Sequence, residues 1–149
     1  MNKPSKKINN NYKYKLFYNK FIVSLMKNGR KYAAAGIAKK LLNSIKMEGK
    51  NPYLVIYNAI NNIKPLFSIK VIRRGKRVIE KPFLLIHENK KNSIAINWLV
   101  SSAKQGKHNH FYKNLSDVLI EASENTGSAK NKQKELHKKV LLNRSLFHI

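Results

Sequence analysis

The chain has 149 residues, 42% of them hydrophobic, which suits one domain with a buried core. Its 31 Lys and Arg against 7 Asp and Glu leave a formal charge of +24, so a folded form repels itself and calls for an anionic partner. Nucleic acid leads, since each neutralised phosphate releases counterion; cysteine is absent, which excludes disulfides and thiol chemistry, and no apolar run approaches the roughly 18 residues of a membrane-spanning helix. The chain also favours Asn, Lys, Ile and Tyr, a bias expected of translation from an AT-rich genome such as an organelle's.

Residues 1–13 read as a basic arm, disordered or ordered on RNA, with a solvated tail as the alternative. They lack the apolar core of a signal peptide, and offer Lys and Asn where a mitochondrial presequence favours Arg, Ser and Ala. Residues 14–149 read as a single helical domain. Helical periodicity begins near Tyr14, with Phe17, Phe21, Ile22, Leu25 and Met26 on one face and Asn28-Gly29 as the stop. A second helix runs from about Arg30 to Glu48, closed by Gly49. Its apolar face is Ala33, Ala34, Ile37, Ala38, Leu41, Leu42 and Ile45, and the alanines with Gly36 predict a close helix–helix approach. A third helix starts at Asn51-Pro52, where Asn can cap and Pro suits the first turn, and stops at Lys64-Pro65. It turns Tyr53, Ile56, Tyr57, Ile60 and Ile63 inward.

The period then changes. Phe67, Ile69 and Val71 alternate with Ser68 and Lys70, the pattern of a half-buried strand. A basic loop, Arg73-Arg74-Gly75-Lys76-Arg77, leads to a second strand from Val78 to Ile86, in which Pro82 demands an edge. Strands of about eight residues reach roughly 25 Å, far enough to leave a helical body. Helical spacing returns at about Lys91, with Ile94, Ala95, Trp98, Leu99, Ser102 and Ala103 on one face and Gly106 as the stop. Lys104 to His110 is a polar loop. A fifth helix, about Phe111 to Asn125, buries Leu115, Val118, Leu119 and Ala122; Thr126-Gly127-Ser128 breaks the chain. A sixth runs from about Ala129 to Phe147 with Leu136, Val140 and Phe147 inward and a basic remainder of Lys130, Lys132, Lys134, Lys138, Lys139 and Arg144. The expected fold is mainly α: a bundle of about six helices, with one two-stranded β-ribbon at about 66–87 protruding between the third and fourth.

Catalysis finds no footing. Metal-assisted phosphodiester chemistry wants clustered carboxylates, and the 7 acids are scattered. His108 and His110 in a loop make a poor metal pair, and Gly75 stands alone rather than in a phosphate loop. No enzyme activity, cofactor or metal is expected.

Four blocks carry a family likeness: FIVSLMKNGRKYAAAGI (Phe21 to Ile37), the ribbon between Pro65 and Pro82, IAINWLV (Ile94 to Val100), and the terminal LSDVLIEASENTGSAKNKQKELHKKVLLNRSLFH. In these the chain resembles the small-subunit ribosomal protein seven family over nearly its full length. In the terminal block Glu121, Ala122, Gly127, Ala129, Lys132, Glu135, His137, Asn143, Arg144 and Phe147 match. It departs where Lys76 replaces the ribbon loop's second glycine, where Ser68 replaces an acid, where Asn97 replaces a basic residue, and at Gln105 and Gly106.

The resemblance implies a structural constituent of the small ribosomal subunit. Such a protein binds the 3′ domain of small-subunit rRNA, helps assemble the head, and sets its ribbon near the exit-site tRNA and the mRNA. It also implies neighbouring small-subunit proteins of head and platform as partners, and no membrane. By residue type, rRNA contacts are expected from Lys3, Lys6, Lys7, Lys13, Lys15, Arg30, Lys31, Lys70, Lys132, Lys138 and Arg144. The ribbon residues Arg73, Arg74, Gly75, Lys76 and Arg77 are expected beside tRNA and mRNA, the arginines suited to bidentate phosphate pairing and stacking. A basic organellar DNA-binding architectural protein is the alternative. The expected location is the mitochondrion, with plastid or bacterial cytoplasm as alternatives.

Overall fold

A computed structural model describes the chain over residues 10–148, with side chains placed over residues 17–147. In chain order come α1 (Asn10–Leu25), α2 (Lys31–Met47), α3 (Pro52–Ile63), β1 (Phe67–Arg74), β2 (Arg77–Leu84), α4 (Glu88–Ala103), α5 (Phe111–Ser123) and α6 (Gly127–Leu142), then a 3-10 turn over Arg144–His148. This is the mainly helical fold expected, with the ribbon between the third and fourth helices.

The apolar stripes fix the packing. Helix α5 packs against α2, α3, α4 and α6, and Leu115 and Leu119 on it are fully buried. Phe21, Leu41, Ile60, Ile63 and Leu99 meet them in one core. Burying each such side chain contributes about 1.5–3 kcal/mol against the entropy of ordering the chain. Trp98 packs against this core, as its helical spacing predicts.

Local signals set the helix ends. The Asn51 side-chain oxygen accepts from the Tyr53 amide at 3.2 Å, with Pro52 in the first turn. Beyond α5, Asn125 takes a left-handed φ of 62° while the Thr126 amide reaches back to the Glu121 carbonyl at 2.9 Å, a Schellman ending. Gly127 follows at φ 89°, where an added Cβ would strike the Glu121 side chain. Side chains from neighbouring helices satisfy the remaining carbonyls. Asn62 donates to the Ala122 and Ser123 carbonyls at 3.1 and 2.9 Å, and Gln133 donates to the Lys64 carbonyl at 3.1 Å.

Several boundaries and faces differ from the sequence reading. Helix α1 begins at Asn10, ahead of Tyr14, and α4 at Glu88, ahead of Lys91. Helix α6 stops at Leu142 and the chain tightens into the 3-10 turn, so Phe147 lies beyond the helix. Ala33 and Gly36 are exposed and a Cβ on Gly36 would meet nothing within 4 Å; the close approach runs through Ala34 and Ala38 instead. Tyr53 is largely exposed, and Val55 and Ala59 take the inward places on α3. Asn92, Asn114, Ser116 and Gln133 are buried polar residues that a hydrophobic pattern cannot reveal.

Candidate nucleic-acid interface

The ribbon is a regular antiparallel pair whose register sets Arg74 opposite Arg77, Lys70 opposite Lys81 and Ile69 opposite Pro82. The expected five-residue basic loop is in fact a two-residue turn, Gly75-Lys76, with the arginines on the strands. Gly75 has φ 59° and Lys76 is not in the left-handed region, the sign pattern of a type II′ turn. That turn demands glycine only at its first central position, so Lys76 sits without backbone strain.

The ribbon divides into an anchored root and a free tip. At the root Pro65 and Pro82 are fully buried, and the Phe67 ring meets Phe147 edge-on, centroids 5.6 Å apart. Helix α6 packs on β1 and the 3-10 turn on β2. Toward the tip one face of the ribbon is open, with Val71 54% and Val78 60% exposed, while Ile72 and Ile79 face each other half-buried. Arg73, Arg74, Lys76 and Arg77 are all exposed, and among the described residues none of them pairs with an acid. The tip thus presents 4 charged donors without an ion pair among the described residues.

Other predicted contacts separate into free and engaged groups. Lys3, Lys6 and Lys7 lie outside the described residues, with most of the expected arm; Lys13 and Lys15 fall within α1. Arg30 and Lys31 are exposed at the start of α2, beside Tyr32, which is 95% exposed. An aromatic left in water within a basic turn is a base-stacking candidate that core-seeking periodicity overlooks. Lys70, Lys138 and Arg144 are exposed, whereas Lys132 donates to the Ser101 hydroxyl at 2.8 Å. Lys130 likewise serves the fold, donating to the Asn62 carbonyl at 2.9 Å and to the Asn125 side chain at 3.2 Å. Burial, with Lys134 nearby, holds its ammonium below the ordinary lysine pKa.

Glu80 is the one acid on the ribbon, exposed on β2 opposite Val71, and most of the others lie on or beside α4 and α5. Asp117, Glu121 and Glu124 stand exposed along α5, with His108 3.0 Å from Asp117 and Lys50 2.8 Å from Glu124. At the head of α4, Glu88 holds Lys64 and Lys91, each at 3.5 Å. Lys64 chiefly, with Lys91, draws the Glu88 carboxyl below its ordinary pKa although desolvation opposes it. Among the described residues no three His, Asp or Glu side chains are placed to hold a metal ion, and no helix is long and apolar enough to cross a membrane.

A helical body carrying a projecting cationic ribbon and further exposed basic side chains defines a class: a basic scaffold protein. The model of the ribosomal protein S7p/S5e family matches residues 1–144. The chain belongs to that family, a structural family of the small ribosomal subunit and not one of enzymes. It is 34% identical over 134 residues to the small ribosomal subunit protein uS7 of Petrotoga mobilis, covering 89% of this chain and 86% of that one. It is 33% identical over 130 residues to the uS7 of Lactobacillus delbrueckii (87% and 83% covered), and 31% identical over 130 residues to that of Rhizorhabdus wittichii (87% and 83%).

Proposed function

We propose that the protein binds the 3′ domain of small-subunit rRNA, helps organise the head of the subunit, and lays its ribbon tip near the exit-site tRNA and the mRNA. The observation that carries this reading is the ribbon tip, whose exposed Arg73, Arg74, Lys76 and Arg77 have no ion pair among the described residues while its root packs on α6. Charges held out by a rigid stem suit irregular RNA, where phosphate geometry and unstacked bases are read. Lys70 extends the phosphate contacts along the ribbon, Arg30, Lys31, Lys138 and Arg144 extend them over the body, and Lys3, Lys6, Lys7, Lys13 and Lys15 extend them from the N-terminal side. Lys132 joins them once its bond to Ser101 is exchanged for phosphate. Neighbouring head and platform proteins are the protein partners in this reading.

Two measurements test it. The protein should co-sediment with small subunits on a sucrose gradient, and recovery only in free fractions would refute the assignment. A 3′-domain rRNA transcript should bind more tightly than duplex DNA at matched moderate salt; equal affinity would favour a DNA-binding architectural protein. We place the protein in a mitochondrial small subunit on its AT-biased composition, and the bacterial relatives make a bacterial cytoplasm compatible as well. Immunodetection in purified organelles decides between these locations.

A further inference from the structure

Four helix ends meet on the body away from the ribbon: the C-terminal ends of α1 and α4 and the N-terminal ends of α2 and α5. They enclose a half-open groove of about 500 Å³, within the range of sites that take small planar ligands. Its apolar lining comes from Leu25, Ala33, Ile37, Val100 and the half-buried aromatic ring of Phe111. The exposed Lys27, Arg30 and Lys104 complete it, and no acid lines it. A second groove, beside α5, differs in including Asp117 and Glu121 beside Lys107 and His108, so its charge is mixed.

From this combination we infer that the first groove receives one unpaired nucleobase of the bound RNA, with Lys27, Arg30 and Lys104 taking the flanking phosphates. The proposal rests on the rRNA-binding reading and sharpens it to a single nucleotide. An apolar slot with an aromatic wall offers what a splayed base needs, removal of its faces from water and a stacking surface. Three cations and no acid match the phosphates on either side of that base. The occupant is therefore planar and apolar in its middle and anionic at both ends. Phosphate-only contact would need the cations but would leave the apolar lining without a role.

The test fills the groove without touching its charge. Ala33 is an exposed helix position, so Ala33→Leu should keep the melting temperature while occupying the slot. Wild type and variant are titrated with a 3′-domain rRNA transcript and with a set of transcripts each carrying one abasic site at an unpaired nucleotide. The expected results are about tenfold weaker binding by Ala33→Leu, a similar loss for wild type at one abasic position, and no further loss when the two are combined. Wild-type affinity in the folded variant would overturn the proposal, as would full additivity at every abasic position. Normal RNA binding by the variant with failed incorporation into subunits would assign the groove to an acidic protein segment instead. Failure of wild type to bind the transcript at all would strike the rRNA-binding reading itself, so the two failures are distinguishable.

Discussion

The α3–α5 interface and the outer ribbon use the same kinds of residue for opposite ends. Ile56, Ile60 and Ile63 on α3 are almost wholly buried against α5, whereas Val71 and Val78 on the ribbon stand more than half exposed. In the body, β-branched side chains supply apolar area. In the ribbon they stiffen backbone, favouring extended conformation where little packing supports it. The body therefore holds stability and the tip holds reach.

The sharpest break in this comparison is truncation in the body. Leu119→Ala should cost about 2–5 kcal/mol in urea unfolding, while Val71→Ala and Val78→Ala should each stay within about 0.5 kcal/mol. Comparable losses at both places would mean that the ribbon shares the core's energetics. Next comes the joint between them. Phe147→Ala removes the edge contact to Phe67 and should cost about 1–3 kcal/mol, with amide exchange rising along β1 and β2 but not in α3.

Arg73→Ala with Arg74→Ala should leave stability within about 0.5 kcal/mol yet lower the salt dependence of rRNA binding by about 1.4–1.8 in log–log slope. An unchanged slope would mean that the tip contacts no phosphate. The smallest effect is electrostatic. The Glu88 carboxyl, held below its ordinary pKa chiefly by Lys64, stabilises the fold fully above the unfolded pKa near 4.5, and that stabilisation is lost as pH falls through the folded value. Glu88→Gln should therefore melt slightly below wild type at neutral pH, and the two curves should converge in acid.

Much of this was legible from spacing alone. The stripes of Phe21, Leu41, Ile60, Leu99 and Leu119, the Asn51-Pro52 start and the Gly49 stop each express one local rule, and the structure follows them. What was illegible depends on partners distant in sequence. Gly36 and Ala33 are compatible with either face of α2, because a small side chain neither demands burial nor resists exposure. The lysines of α6 share one chemistry, yet Lys130 and Lys132 bond the fold while Lys138 faces solvent; only the positions of Asn62 and Ser101 divide them. The basic run over residues 73–77 conceals the ribbon's register, so a two-residue turn has the sequence of a five-residue loop. The groove at the four helix ends has no contiguous signature, since its lining comes from four helices and the turn between α1 and α2.

The register of the ribbon has a consequence for the protein before it meets any partner. Both strands are edges, and open edges of this length invite strand addition by a second copy. Here Lys70 faces Lys81 and Arg74 faces Arg77, while Pro82 withholds an amide. An incoming identical ribbon would add further cations beside these two pairs. The paired cations that suit the tip to a polyanion thus also oppose edge-to-edge joining of free chains, and phosphate bound there would weaken that opposition.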